Sequence, residues 1–372
     1  MSRKARLLLV GRTRYRLPLG ESLQAKFEPL TQRFDLRVLA SGVDGAPGRD
    51  GVFELAGPYR PRRLDGAFYF LGLPLRTRRE LRRSRPDAVL VQGAHETWFV
   101  LLGRSLSGVH TPVILDVHGD WRSSTRLYGS PARGLLNPIA DRVAVSALRR
   151  ADAVRTISDY TTALVRSYGV EPAAVFPAFM DLEPFLGPTL PLPTPPRALF
   201  VGVLEHYKGI DELAEAWRAV AAKVPTATLH LVGRGTRREV VERLVADLPD
   251  RTRWTEALPT EGVARALDAA TMLVLPSRSE GMGRVLVEAF CRGRPVVASR
   301  VGGIVDLVRD GENGLLVLPQ DPAALADALC RLLTDTALAE RLAAGAKAGA
   351  DDWTATPEEY AARLEALVAG LR

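Results

Sequence analysis

The sequence predicts an α/β protein made of two Rossmann-like domains that face each other across a cleft. Short apolar runs rich in β-branched residues alternate with longer helical patterns along the whole chain, and the alternation occurs in two series. This order is typical of parallel sheets covered by helices on both faces. The predicted strands are residues 7–10, 88–91, 113–117, 198–201, 229–232, 272–275 and 296–298.

A proline-rich segment separates the two series. Residues 184–196 contain six prolines, and such a stretch can form neither a helix nor the interior of a sheet. We therefore predict an N-terminal domain over residues 1–183, a linker over 184–196 and a C-terminal domain over 197–350. A last helical pattern, within residues 351–372, is predicted to pack toward the N-terminal domain.

Positive charge is concentrated in the first half of the chain. Residues 1–180 carry 28 Lys and Arg against 16 Asp and Glu, whereas residues 181–372 carry 22 against 27, and the whole chain has a net charge of +7. This asymmetry indicates that the N-terminal half meets an anionic partner, either a polyanion, a phosphorylated acceptor or a membrane surface. The alternative is that an arginine-rich chain simply carries solvated basic faces.

The chain is predicted to be cytoplasmic. Its two cysteines, Cys291 and Cys330, lie in apolar helical patterns, which argues against a disulfide framework. No secretory pattern precedes the first strand, and no apolar run reaches the roughly 20 residues of a spanning helix. Residues 67–85 place an aromatic and aliphatic run beside a cluster of arginines. This segment either lies on the inner face of the cell membrane or packs on the sheet with its arginines in water.

The most informative pattern follows the strand at residues 272–275. A glycine-containing loop comes first, and a helix is predicted to begin near Gly283 or Arg284. Amides at a helix start bind anions, and the carboxylates of Glu280 and Glu288 can accept hydrogen bonds from sugar and ribose hydroxyls. In the alternative interpretation, Glu280 caps the helix and Glu288 pairs with Arg284.

From Glu280 to Gly314 the sequence resembles the retaining glycosyltransferases of family 4, which have the GT-B fold. The resemblance implies that Glu280 binds hydroxyls of the donor sugar and that Glu288 holds the ribose diol. It also implies that the main chain at Gly281, Met282 and Gly283 contacts the sugar and phosphates. The pattern consists of Glu280, Glu288, Gly293, Arg294, Pro295, Val296, Val297, Ala298, Ser299, Gly302, Gly303, Asp310, Gly311, Asn313 and Gly314.

A second stretch, residues 200–209, resembles the loop that the family uses against the pyrophosphate. Gly202 would let the pyrophosphate approach the main chain, and Lys208 would supply positive charge to the departing diphosphate. Many members of the family carry an arginine directly after this glycine, but this chain has Val203. We expect Arg284 or His206 to substitute, unless Lys208 and the helix start suffice. Leu258 lies where the family cradles the nucleotide base.

In the N-terminal half, His118 follows a predicted strand at the position where family members place a histidine beside the transferred sugar. The alternative is a packed, hydrogen-bonded imidazole. His95 follows another strand and is predicted on the acceptor side. The first loop, predicted over residues 11–20, offers Arg14 and Arg16 for a phosphorylated acceptor, with a solvated basic loop as the alternative.

The predicted function is that of a retaining, metal-independent glycosyltransferase. It would move a sugar from a nucleotide diphosphate sugar to a glycan, lipid-linked or small-molecule acceptor, with His118, Glu280 and Lys208 as catalytic residues. No cofactor, metal or nucleic acid is expected, because the histidines lack ligand spacing and no Asp-x-Asp occurs. The alternatives are a nucleotide-sugar epimerase or hydrolase of the same fold, or a basic protein that binds anionic surfaces.

Overall fold

A computed structural model of the chain describes residues 3–43, 48–59, 64–122 and 137–371. The chain divides into two compact units. The N-terminal unit comprises Met1–Asp181 and Ala355–Arg372, and the C-terminal unit comprises Leu182–Thr354. Each unit is a parallel sheet with helices, and all seven predicted strands lie within observed ones. The prediction of two Rossmann-like α/β domains is therefore confirmed.

The sheet of the N-terminal unit has the strand order β3-β4-β2-β1-β5-β6-β7-β8 and is parallel except for the pairing of β3 with β4. Its central strands are continuous apolar runs, as expected for strands buried on both faces. The strands are β1 (Ala5–Tyr15), β2 (Phe34–Gly42), β3 (Gly48–Asp50), β4 (Phe53–Ala56), β5 (Ala88–Gln92), β6 (Val113–Val117), β7 (Ala153–Thr156) and β8 (Ala174–Val175). The described helices of its first segment are α1 (Glu21–Arg33), α2 (Asp65–Ser84), α3 (Ala94–Ser107), α4 (Asn137–Arg150) and α5 (Asp159–Arg166).

The predicted loop over residues 11–20 is wrong in its first half, because β1 continues to Tyr15. After a register shift between Val10 and Arg14, the strand resumes its pairing with β2, and Tyr15 lies opposite Gly42. Tyr15 is buried against Phe27 and Phe53, with ring centroids 5.8 and 5.2 Å away. This aromatic cluster extends the strand beyond the apolar run that the sequence displays.

The sheet of the C-terminal unit is wholly parallel, with the order β11-β10-β9-β12-β13-β14. The strands are β9 (Arg197–Val201), β10 (Thr228–Val232), β11 (Thr252–Thr255), β12 (Met272–Leu275), β13 (Val296–Ser299) and β14 (Gly314–Val317). The helices are α6 (Ile210–Lys223), α7 (Arg238–Asp247), α8 (Thr260–Asp268), α9 (Arg284–Cys291), α10 (Ile304–Leu307), α11 (Pro322–Thr334) and α12 (Thr336–Gly349). Three short 3₁₀ helices cover Glu183–Phe185, His206–Lys208 and Asp351–Trp353.

The strand order reverses beside β9, which has β10 on one side and β12 on the other. In open parallel sheets such a reversal opens a crevice at the carboxyl ends of the two strands, because their following loops diverge. The loops after β9 and β12 are the two stretches that the sequence singles out. Between these two loops the chain forms β10, β11 and their flanking helices before it returns to β12, which pairs with β9. The fold therefore places the two stretches side by side.

The last helix, α13 (Pro357–Ala369), belongs to the N-terminal unit. A capping box between Thr356 and Glu359 starts it. Tyr360 and Leu364 are buried in the same apolar cluster as residues of β1 and β2. Within the described part of the chain, no helix is long and apolar enough to cross a membrane.

Candidate functional site: the loops after β9 and β12

The loops after β9 and β12 are held together by their backbones. The amide of Arg278 donates a hydrogen bond to the carbonyl of Tyr207, at 2.7 Å. Gly209 has a φ of +69°, and a Cβ at this position would lie 2.0 Å from the carbonyl oxygen of Pro276. Only glycine allows both this conformation and this approach. The contact fixes the short helix His206–Lys208 against the loop that carries Glu280.

Lys208 and Glu280 meet at this junction. The ammonium of Lys208 pairs with Oε2 of Glu280, which also accepts a hydrogen bond from the hydroxyl of Ser277, at 3.4 Å. The side chains of Lys208 and Glu280 are 13% and 15% exposed. The structure thus brings together two predicted site residues that are 72 positions apart. Each neutralises the other at a position that is largely shielded from water.

The start of α9 tests the interpretation of Glu280 as a helix cap. Gly283 is the N-cap residue with a φ of +80°, and no described side chain caps the helix. Glu280 therefore does not act as the helix cap. Met282, directly before Gly283, is buried. The first amides of α9 can instead serve an anion, as helix starts do.

Glu288 lies one turn into α9 and is only 14% exposed. Its carboxylate is 3.9 Å from the guanidinium of Arg284, which is too long for a hydrogen bond. Burial raises the pKa of Glu288, and the charge of Arg284 only partly opposes this effect. The predicted pairing of Glu288 with Arg284 is thus present but weak, and it leaves the carboxylate free to accept hydrogen bonds from a diol.

Gly302 and Gly303 press against the other side of the Glu280 loop. Gly302 has a φ of +52°, and a Cβ there would lie 1.9 Å from the carbonyl oxygen of Glu280. A Cβ on Gly303 would lie 2.1 Å from the carbonyl of Gly281, and the Gly303 amide donates to the Glu280 carbonyl at 3.1 Å. These glycines therefore set the backbone path of residues 280–281.

The first glycine of the β9 loop, Gly202, is also closely packed. Its carbonyl oxygen would lie 1.8 Å from a Cβ on Gly233, which itself has a φ of +154°. Gly235 packs in the same way against Leu204, whose carbonyl would lie 2.3 Å from an added Cβ. The Gly233–Gly235 turn after β10 is thus structural, because it packs against Gly202 and Leu204 of the β9 loop.

Val203, at the position where the family resemblance leads us to expect an arginine, is 46% exposed. Of the two proposed substitutes, His206 accepts a hydrogen bond at Nδ1 from the guanidinium of Arg237, at 2.8 Å. Arg284 is 57% exposed at the start of α9. Arg237 was not predicted from the sequence, because it lies in the loop after β10. In the structure Arg237 lies beside the β9 loop, where it also forms an ion pair with Asp211, at 3.2 Å.

Leu258 is half-buried just before α8. Its Cβ would lie 3.2 Å from a Cβ on Gly262, in the first turn of that helix. No side chain here distinguishes one nucleotide base from another. The role of Leu258 stays a prediction.

In the N-terminal unit, His118 follows β6 and donates a hydrogen bond from Nε2 to the carboxylate of Asp116, at 2.8 Å. Asp116 is fully buried and also pairs with Arg155 on β7, at 2.6 Å. Burial alone would raise the pKa of Asp116, but the charges of Arg155 and His118 and their hydrogen bonds hold it well below its usual range. Asp116 is therefore ionised and fixes the imidazole ring, whose Nδ1 edge is left for other partners.

Arg155 is itself fully buried and tightly held. Its guanidinium donates to the carbonyls of Phe176 and Pro177, at 2.8 and 2.7 Å. Its Cζ lies 3.9 Å from the centroid of the Phe176 ring and 5.6 Å from that of Tyr360 on α13. The position of His118 thus depends on a chain of contacts that reaches the C-terminal helix.

His118 also lines a cavity of about 1030 Å³ within the N-terminal unit. Its wall contains His95, Glu96 and Asp120, and its aromatic lining is provided by Phe70, Trp98, Phe99 and Trp121. Burial lowers the pKa of His95 and raises that of Glu96. Nε2 of His95 is buried without a hydrogen-bond partner among the described residues. The cavity therefore combines apolar rings with a few groups able to bind hydroxyls.

Arg14 and Arg16, predicted on the acceptor side, do not line this cavity, whereas Arg12 does. Arg14 is on β1 and pairs with Asp65 at 2.9 Å, and Arg16 is exposed. Arg12 lies 3.6 Å from the same carboxylate. Because Asp65 partly neutralises both Arg12 and Arg14, this basic end of β1 is less available to a phosphate than the sequence suggests.

Two families of known proteins match this chain. Residues 195–335 match the family described as Glycosyl transferases group 1, and residues 28–184 match Glycosyltransferase Family 4. Both models describe glycosyltransferases and together they match most of the chain, which is therefore a glycosyltransferase. Neither match favours a nucleotide-sugar epimerase or a protein that only binds anionic surfaces. The resemblance that the Glu280–Gly314 segment indicates is thereby confirmed.

Several individual proteins are similar to this glycosyltransferase. D-inositol 3-phosphate glycosyltransferase of Frankia alni is 39% identical over 171 residues, which cover 42% of each chain. Alpha-D-kanosaminyltransferase of Streptomyces kanamyceticus is 28% identical over 77% of this chain and 80% of its own. The structure of Anabaena HepE in complex with UDP-glucose superposes with a TM-score of 0.71 at 19% identity, covering 96% of this chain and 98% of HepE. The first of these alignments spans less than half of the relative, and the third shows that the fold is shared.

Proposed function

We propose that this glycosyltransferase transfers a sugar from a nucleotide diphosphate sugar to an acceptor hydroxyl, with retention of the anomeric configuration and without a metal ion. The observation that carries the proposal is the Lys208–Glu280 pair, placed where the loops after β9 and β12 meet and beside the start of α9. A cation, a carboxylate and helix-start amides at one strand-order reversal suit a ligand that has both phosphates and hydroxyls.

The pair would stabilise the site before the sugar donor binds and would also allow the donor to bind. Lys208 and Glu280 compensate each other's charge. On binding, the diphosphate would form an ion pair with Lys208, and the sugar hydroxyls would donate hydrogen bonds to the Glu280 carboxylate. Both charged groups would then keep hydrogen-bonding partners in either state, which limits the cost of desolvation.

During transfer, negative charge grows on the diphosphate as its bond to the anomeric carbon breaks. Lys208, once it has moved from Glu280 to the diphosphate, and the amides at the start of α9 would stabilise that charge. We propose that the leaving phosphate oxygen itself takes the acceptor proton on the same face of the sugar. Glu280 and His118 would orient sugar hydroxyls, and Glu288 would hold the ribose diol.

The aromatic cavity suggests which chemical groups the acceptor carries. Phe70, Trp98 and Phe99 provide flat apolar surfaces, while His95 and Glu96 can bind hydroxyls. Glycan, lipid-linked and small-molecule acceptors all present hydroxyls beside apolar faces. We therefore place the acceptor in this cavity.

The reaction is tested by incubating the protein with UDP-, GDP- and ADP-sugars and candidate acceptors, and by recording the anomeric proton coupling of the product. We expect an α-linked product from an α-linked sugar donor, and an unchanged rate in EDTA. The described residues hold no group of three or more His, Cys, Asp or Glu side chains arranged for a metal. An inverted product or a rate abolished by EDTA would contradict the mechanism, and release of nucleotide with no acceptor product would favour a hydrolase.

A glycine pair tests whether the Glu280 loop is the donor site. Gly302→Ala should weaken nucleoside diphosphate binding by at least about tenfold, because the new Cβ displaces the Glu280 carbonyl. Gly311→Ala is the matched control, since Gly311 also has a positive φ, of +80°, but its Cβ would enter open space. Both variants should lose about 1–2 kcal/mol of stability from the left-handed conformation, and Gly302→Ala should lose more, because its Cβ also meets the backbone of Glu280. Calorimetric titration measures the affinities; equal affinities of the two variants would count against this placement.

A further inference from the structure

An exposed apolar strip runs along the first half of α2. Leu64, Phe68, Leu71 and Leu75 are spaced four, three and four residues apart, which puts them on one face of the helix. Leu71 is 69% exposed and Leu75 is 63% exposed. Isolated exposed leucines are ordinary, but four on one helical face form a continuous surface that favours contact with another apolar phase.

The neighbouring helix α3 widens this surface. A Cβ on Gly103 would lie 2.7 Å from the carbonyl of Pro74, so the two helices touch at this level. One turn further, Nε of Arg78 donates to the carbonyl of Leu106, at 3.1 Å. Leu102 and Leu106 of α3 are 39% and 48% exposed. We call these six apolar residues the α2–α3 strip: Leu64, Phe68, Leu71, Leu75, Leu102 and Leu106.

Arginines continue the same face of α2 beyond the leucines. Arg79, Arg82 and Arg83 are exposed, and Arg79 and Arg82 follow Leu75 at helical spacing. The two carboxylates of α2 do not offset them at the surface, because Asp65 is 9% and Glu80 only 2% exposed. The exposed side of this helix is thus apolar at one end and purely cationic at the other.

We propose that the α2–α3 strip and the adjoining arginines dock this glycosyltransferase on an anionic membrane surface. The leucines and Phe68 would enter the boundary between headgroups and acyl chains, and Arg79, Arg82 and Arg83 would meet the lipid phosphates. The charge of the arginines decides between a membrane and a second copy of this chain. An anionic bilayer complements these arginines, whereas α2 of a second copy would offer them no exposed carboxylate, because Asp65 and Glu80 are buried.

The test is sedimentation of the purified protein with vesicles of phosphatidylcholine, with and without phosphatidylglycerol. We expect binding only when phosphatidylglycerol is present, and weaker binding in high salt. Leu71→Ser/Leu75→Ser and Arg79→Glu/Arg82→Glu/Arg83→Glu should each lower the partition coefficient by at least about tenfold.

Matched controls separate a local surface from a general effect of charge or polarity. Leu318→Ser removes a leucine that is 65% exposed in the C-terminal unit, and Arg243→Glu/Arg265→Glu/Arg331→Glu makes the same change in net charge through exposed arginines of that unit. Both controls should bind vesicles within about twofold of the parent protein. Melting temperatures of all variants establish that they are folded.

The proposal is overturned if the parent protein does not bind phosphatidylglycerol vesicles, or if the control arginine variant loses as much binding as Arg79→Glu/Arg82→Glu/Arg83→Glu. It is also overturned if analytical ultracentrifugation shows a dimer that Leu71→Ser/Leu75→Ser dissociates, since the strip would then be an interface between copies. These measurements use no sugar nucleotide. Their failure would therefore leave the proposed transfer reaction untouched.

Discussion

Replacing Lys208 by alanine is expected to lower kcat for sugar transfer by about 100- to 1,000-fold, the usual loss when one charge-stabilising group is removed from a transition state. The substitution removes the ammonium that would face the departing diphosphate, and it leaves the Glu280 carboxylate without its partner. Steady-state kinetics with saturating sugar donor measure the effect. Lys223→Ala, which breaks an exposed pair with Asp327 in the same unit, is the control and should keep full activity.

The partner substitution, Glu280→Gln, distinguishes the two halves of the site. Transfer should fall by a comparable factor, because the sugar loses its orienting carboxylate. Binding of the nucleoside diphosphate alone should remain as tight or become tighter, because Lys208 is then free of its competing charge. If Glu280→Gln weakened binding of the nucleoside diphosphate as much as Lys208→Ala does, the assignment of the phosphates to Lys208 and of the sugar to Glu280 would be wrong.

Arg155→Met should destabilise the protein by about 3–5 kcal/mol, the cost of leaving a buried charge without its partner. Arg155 and Asp116 are both fully buried, and Asp116 would keep only His118 as a partner. Arg218→Met is the matched control, since it breaks an exposed pair with Asp247 and should cost no more than about 1 kcal/mol. Urea unfolding followed by circular dichroism gives both values. Equal losses in the free energy of unfolding would show that the buried pair contributes no more to stability than the exposed pair.

The same pair predicts how stability depends on pH. The folded-state pKa of Asp116 lies below its unfolded value, so its ionisation stabilises the fold above the unfolded pKa. That contribution is lost as the pH falls below the usual aspartate range, roughly pH 4. Asp116→Asn should flatten this part of the stability profile while lowering stability at neutral pH. An unchanged slope between pH 5 and pH 3, or thereabouts, would contradict this account.

Much of the fold could be predicted because parallel strands that are buried on both faces appear in the sequence as continuous apolar runs. The runs that contain Leu273 and Ile114 are examples, and both lie in central strands. The end of β1 could not be predicted in this way. Its last residues, Arg14 and Tyr15, are held by pairing with β2 and by aromatic packing from α1 and β4, which are contacts between distant parts of the chain.

The same distinction applies to the site. The positions of Glu280 and Lys208 were predicted from local motifs, but their pairing depends on the strand order β9-β12, which no local pattern contains. Arg155 sits in a short strand whose sequence gives no sign that its charge is buried. Arg237 approaches the β9 loop only through the turn after β10. Residues of this kind acquire their surroundings from tertiary structure alone.

The most direct test is a crystal structure of the protein with a nucleotide diphosphate sugar. The account predicts that the Glu280 carboxylate lies within hydrogen-bonding distance of a sugar hydroxyl, that Glu288 contacts the ribose, and that Lys208 has moved from Glu280 to the diphosphate. A sugar nucleotide bound away from the loops after β9 and β12, with the Lys208–Glu280 pair still intact, would contradict it.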